Sequence, residues 1–296
     1  MTNRQLSIYC GIVFFISWTI QILTLLITND LNSFNAKLGL ATTMVSPLFV
    51  TLGFIIADKS LRGKIVWKPN KHIFTTSFLA VIIPTITAFV VLFIMQNMHY
   101  GQSGWFMFST TEVTISGGPF LLGLGKQSWL FFMSNILVTG VAYSLFTGTI
   151  AVGEEFAWRG FLQGVLIEKF GIIKGVAILG FLWSLWHLPI QLAGYNYPEN
   201  QLIGSFIISP IMLISVSLFY AWLTLKSGSF IPAAIAHGAF NTIEEGIISN
   251  INLEVPMLYV TLVKLFVTVA TGLLFMYLIN RKQNLSQVNI QTRNDT

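Results

Sequence analysis

The sequence predicts an all-α fold, a polytopic integral-membrane bundle of about eight transmembrane helices. Three observations carry this expectation. Only 9% of the 296 residues are charged, against about 25% in ordinary soluble domains. The mean hydropathy is +0.74. The apolar residues also gather into stretches near the ~20 residues that cross ~30 Å of hydrocarbon. The net charge of +5 is no nucleic-acid footprint, because the bases fall mostly between those stretches. Cys10 is the single cysteine, which excludes an intrachain disulfide framework and a cysteine-based metal site.

In chain order, the apolar stretches fall at 6–28, 38–57, 73–95, 129–167, 175–190, 202–225, 230–249 and 257–279. The first lacks a small-residue cleavage site and is read as a retained helix, not a signal peptide. The fourth exceeds a single crossing, so it must tilt, bend near Gly153 or run on along the interface. The fifth is short and ends at Pro189. Residues 96–128 form the longest loop, with Glu112 their only acid, and read as a plain external surface loop rather than a re-entrant lid. Residues 281–296 read as a disordered polar tail. The chain thus divides into 1–128 (three spans and the external loop), a four-helix core at 129–250, a C-terminal span at 251–280 and the tail.

Basic residues fix an expected orientation. Arg4, the group Lys59, Arg62, Lys64, Lys68 and Lys71, then Lys169, Lys174, Lys226, Arg281, Lys282 and Arg293 all fall on one side of an eight-span bundle. The other side holds Lys37 and Lys126. The positive-inside rule then makes both termini cytoplasmic in a multi-pass cell-membrane protein.

Residues 153–163 are the centre of the sequence. Glu154, Glu155 and Arg159 lie within apolar sequence: 129–152 carries no formal charge, and in 161–167 the one polar side chain is Gln163. Ionisable residues at membrane depth are costly and mark function by default. On a helix Glu155 faces Arg159, acid before base, the favourable i,i+4 order. Glu154 is rotated by ~100°, so the pattern predicts one carboxylate neutralised locally and a neighbour left unpaired.

Two histidines are placed comparably. His187 ends Trp183-Ser-Leu-Trp-His187, and His237 shares a helix face with Asn241 four residues on. Counting from the basic side at 1.5 Å per residue, Glu154 lies ~22 Å deep, His187 ~18 Å, His237 ~10 Å and Asn241 ~16 Å. Four polar residues from three helices therefore share a layer, expected to open toward the cytoplasm. A second acidic pair, Glu244 and Glu245, falls near the outer end of its span and reads as interfacial, with Lys264 snorkelling or pairing with one of them.

Glu154-Glu155-x-x-x-Arg159, then Trp183-x-x-x-His187, then His237-x-x-x-Asn241 resemble the three motifs of the CPBP family, the Abi-type group of CAAX type II prenyl endopeptidases and bacteriocin-processing or immunity proteins. The runs Arg-Gly-Phe-Leu-Gln and Trp-His-Leu-Pro match as well, and the resemblance covers roughly 130–250. Trp183 stands where the family more often has Phe. The resemblance implies an intramembrane endopeptidase that hydrolyses a peptide bond in a membrane-associated protein or peptide, of the CAAX, bacteriocin or signal-peptide kind.

A carboxylate in a dry site resists ionisation, which suits Glu154 as general base for a water near neutral pH. His187 would hold the same water, while His237 and Asn241 would donate to the oxyanion. Glu155, Arg159 and Trp183 would support them. Glu154, His187 and His237 also have the chemistry to hold Zn²⁺ with water in a fourth place, and the metal-free route uses the same residues. No His-Glu-x-x-His is present, which excludes a soluble-type zincin. Two other classes fit the composition: a non-catalytic membrane immunity or scaffold protein, and a proton-coupled transporter. The absence of an internal repeat counts against the transporter. The expected partners are the lipid bilayer and a membrane-associated substrate.

Overall fold

Thr2 opens the first helix with a capping box: its hydroxyl accepts from Gln5 N at 3.2 Å, and the Gln5 side chain accepts from Thr2 N at 2.8 Å. Ser33 and Ser128 cap later helices in the same way, each accepting from the backbone amide three residues on. These helices belong to a computed structural model that describes residues 1–28, 30–31 and 33–281.

The helices are α1 (Asn3–Ile27), α2 (Phe34–Ala57), α3 (Ile73–Asn97), α4 (Trp129–Glu155), α5 (Gln163–Phe170), α6 (Ile172–Trp186), α7 (Leu188–Leu192), α8 (Gln201–Ile203), α9 (Ser209–Ser227), α10 (Ile231–Ala239), α11 (Glu245–Ser249) and α12 (Met257–Arg281). All eight expected apolar stretches are helical, yet six helices are long and apolar enough to cross a membrane: Asn3–Ile27, Phe34–Ala57, Ile73–Asn97, Trp129–Phe170, Gln201–Ser227 and Met257–Arg281. Of the other two, α6 has 15 residues, and α10 with α11 carries His237, Asn241, Glu244 and Glu245 in its short length. α6 buries one face, through Val176, Leu179, Trp183 and Trp186, and leaves Phe181 45% exposed, whereas most of α10 is buried.

Three helices contain π-helical turns. Phe156–Leu162 joins α4 to α5, Gly204–Ile208 joins α8 to α9, and Phe240–Glu244 joins α10 to α11. The expected bend near Gly153 is replaced by the first of these. Gly153 instead marks a close approach of α2, where a Cβ would stand 2.8 Å from Val45 Cα. After α5 the chain reverses at Gly171, whose φ of +79° is a conformation that glycine adopts without steric cost.

The 96–128 segment is not a plain loop. β1 (Gly101–Ser103) pairs antiparallel with β5 (Ile251–Leu253), while β2 (Phe106–Phe108), β3 (Glu112–Ile115) and β4 (Gly125–Ser128) form a second antiparallel sheet. Phe106, Val113 and Ile115 point inward onto Phe132 of α4. Strands of three or four residues leave too short a two-residue period to be read against apolar neighbours. Beyond Arg281, the tail expected to be disordered falls outside the residues whose placement is described.

The two ends of the bundle differ. At one end Lys169 Nζ donates to Asn3 Oδ1 at 2.9 Å, Lys64 pairs with Glu168 at 2.5 Å, and Asn70 donates to Lys226 O at 3.0 Å. The basic loops and the start of α1 therefore meet there, as the charge pattern requires. The small sheets and the 193–200 loop occupy the opposite end. Tyr9, Leu61, Trp158, Phe161, Leu162 and Leu223 fill the basic half with a contiguous apolar core.

Candidate active site

The first π-helical turn begins directly after Glu155, where the amide of Gln163 reaches the carbonyl of Trp158. Such a turn inserts a residue into the helix and re-aims the side chains beside it. Arg159 lies inside it and is fully buried, with Nη1 donating to Glu155 Oε1 at 3.0 Å and Nη2 to Ser217 Oγ at 3.0 Å. Its guanidinium stands 4.1 Å from the Trp183 ring centroid and 4.7 Å from that of Tyr220. Two aromatic faces and a carboxylate thus surround one buried cation, using both its charge and its planarity.

Glu155 has a second partner. His237 Nδ1 lies 2.9 Å from the same Oε1 that takes Arg159, so Glu155 ties α4 to α10. The expected pair is present, and Glu155 is its hub. Glu154, 1% exposed, is not unpaired as expected, because Trp183 Nε1 donates to its Oε2 at 2.9 Å. That bond needs an indole, so the Trp at 183 has a polar task that the family's more usual Phe cannot perform. The i,i+4 pattern found Arg159. It could not find the Trp183 bond, which joins residues 29 apart in the chain.

His187 ends α6, and its Nδ1 lies 2.8 Å from the carbonyl of Trp183. A carbonyl can only accept, so Nδ1 carries the proton and Nε2 keeps the lone pair. Trp186 packs edge-on against this ring with centroids 4.7 Å apart. Glu154, Trp183, His187, His237 and Asn241 all line a single cavity of about 270 Å³. Asn241 is exposed into it from the π-helical turn Phe240–Glu244.

Other lining residues carry two corrections. Tyr195, Tyr197, Glu244, Glu245 and Lys264 belong to the same cavity, which therefore runs from Glu154 toward the end of the bundle opposite the basic loops. The expected opening on the basic side is closed by the apolar core around Phe161 and Trp158. Glu244, expected at the interface, is 1% exposed, because the π-helical turn at Phe240–Glu244 rotates it inward. Lys264 pairs as expected, 2.9 Å from Glu245 and 4.0 Å from Glu244.

The expected zinc ligands fit poorly. Among the described residues, no group of three His, Cys, Asp or Glu side chains is placed to hold a metal ion. Nδ1 of His237 is held by Glu155 and Nδ1 of His187 by Trp183 O, which leaves both Nε2 atoms free as in metal-ligating histidines, so the misfit lies in the placement of the three side chains and not in their hydrogen bonds.

Fold and site define a multi-pass membrane protein with a buried glutamate–histidine–arginine centre on one cavity. Residues 126–243 match the family described as type II CAAX prenyl endopeptidase Rce1-like. Over 99 residues the chain is 29% identical to the CAAX prenyl protease 2 of Methanococcus maripaludis, covering 32% of this chain and 36% of that protein. The alignment thus spans about a third of this curated relative. The segment 126–243 is therefore similar to that family over about two fifths of the chain, and it contains all three motifs, from Glu154 to Asn241.

Proposed function

We propose that the protein is an intramembrane endopeptidase that hydrolyses a peptide bond in a membrane-associated protein or peptide. The observation carrying this reading is the seating of Glu154. Its carboxyl is buried on the cavity wall, with Oε2 fixed by the Trp183 indole and Oε1 left to face a water.

In this reading Glu154 takes a proton from that water as the hydroxyl attacks the scissile carbonyl. His187 Nε2, whose lone pair is set by the Trp183 carbonyl, accepts a hydrogen bond from the same water and keeps it oriented. The Asn241 amide donates to the oxyanion that forms. His237 donates from Nε2 when its ring carries both protons, a state that Glu155 at Nδ1 supports. The proton held by Glu154 then passes to the leaving amine. Arg159 touches no reacting atom; it positions Glu155 and stacks on Trp183. No covalent intermediate and no metal enters these steps.

Substrate reaches the site from the cavity end, away from the basic loops. The test is cleavage of a library of single-span peptides by purified wild type and by Glu154→Gln. Cleavage by wild type and its loss in a variant of unchanged thermal stability supports the reading. Equal cleavage by both removes Glu154 from the chemistry.

A further inference from the structure

Glu244 presents an unsatisfied acceptor pair. Both of its carboxyl oxygens are buried without a hydrogen-bond partner among the described residues. Lys264, the neighbouring cation, is 2.9 Å from Glu245 Oε2 and 4.0 Å from the nearer Glu244 oxygen. The ammonium therefore satisfies Glu245, and the Glu244 carboxyl is left without a hydrogen-bond donor. Leaving a buried carboxyl without donors is costly. The cost falls when a donor arrives with a ligand, and Glu244 lines the cavity through which substrate must pass. Tyr195 and Tyr197, which line the same cavity, present aromatic surface suited to a cation.

We propose that Glu244 is the anionic wall of a substrate subsite that takes a lysine or arginine side chain of the peptide. The register rests on the peptidase reading. Glu244 follows His237 by seven residues, ~10 Å along the helix, which is about three residues of extended peptide. The preferred substrate carries its basic residue about that far from the cleaved bond, on the side facing the cavity mouth. An ammonium or guanidinium brings several donors and a fixed charge, which a buried carboxyl whose two oxygens lack a donor matches.

The probes are fluorescent single-span peptides, identical except for one position moved stepwise along the juxtamembrane segment and occupied by lysine or by norleucine. Binding is read on Glu154→Gln protein in nanodiscs, and cleavage on wild type. At one register lysine should bind roughly 10- to 100-fold tighter than norleucine. Adding Glu244→Gln should abolish that preference. Equal binding of the two peptides at every register overturns the subsite, whether or not wild type cleaves.

A lysine preference without any cleavage overturns the peptidase reading and leaves the subsite standing. Should Glu244→Gln fail to fold, Glu244→Asp must retain the preference and Lys264→Met, which removes the competing ammonium, must increase it. If neither holds, the proposal is wrong.

Discussion

His237 and Glu155 lie 82 positions apart in the chain, and a 2.9 Å hydrogen bond joins them. Through it one carboxylate oxygen holds both the Arg159 guanidinium and a cavity-lining imidazole. The centre is therefore two adjacent glutamates with different tasks. Glu155 faces inward and ties helices together, while Glu154 faces the cavity.

Glu154→Gln is expected to abolish cleavage while keeping the fold. The amide oxygen can still accept from Trp183, and a lost general base costs ~10²–10⁴ in rate. Turnover of a membrane peptide alongside a thermal-melt comparison checks both halves. A large drop in melting temperature would mean that the carboxylate is structural.

Arg159→Met should behave in the opposite way. It leaves the buried Glu155 with His237 alone and removes the bond to Ser217, and breaking a buried pair costs about 3–5 kcal/mol. The expected outcome is a lower melting temperature and lower yield of folded protein before any activity is measured. A variant as stable as wild type would show that the pair is dispensable to folding.

Gly238→Ala tests whether close packing places His237. A Cβ at 238 would meet Ser144 O at 2.3 Å and Gly148 N at 2.6 Å, so α10 must shift away from α4. Overpacking of this kind costs about 1–3 kcal/mol, and here it also displaces the imidazole, so activity should fall by more than stability does. Gly11→Ala, with nothing within 4 Å, is the control and should leave both unchanged.

Orientation can be measured with one reagent. Cys10 is the single cysteine, so a Cys10→Ser background carrying Glu199→Cys has one thiol, in the exposed 193–200 loop. If the basic end is cytoplasmic, an impermeant maleimide added to intact cells labels it. A thiol reached only after lysis would put the cavity mouth in the cytoplasm and reverse the positive-inside reading.

Chelation should leave turnover unchanged. Glu154, His187 and His237 do not converge as a three-ligand group, so cleavage after treatment with a chelator is expected to match that of the untreated protein. Loss on chelation with recovery on adding zinc would require these side chains to rearrange around a metal.

Much of this was legible in the chain. The helix spans follow from apolar runs matched to hydrocarbon thickness, and the Glu155–Arg159 contact follows from a spacing of four on a helix. The sidedness of the bases follows from strict alternation of crossings. All of these are local regularities, carried by neighbouring residues. The strands at 101–128 were not legible, because three-residue strands among aromatics show no period. The burial of Glu244 was also missed: it depends on a π-helical turn, and one inserted residue changes which face a side chain occupies without a distinct mark in composition.

The sequence therefore fixed the kind of molecule and the residues able to do chemistry, because periodicity and the cost of burying charge act along the chain. Folding in three dimensions set the partnerships: Trp183 on Glu154, His237 on Glu155, and an opening at the end opposite the basic loops. Those choices depend on which helices pass within hydrogen-bonding distance, and on which half of the bundle Phe161, Trp158 and their neighbours fill.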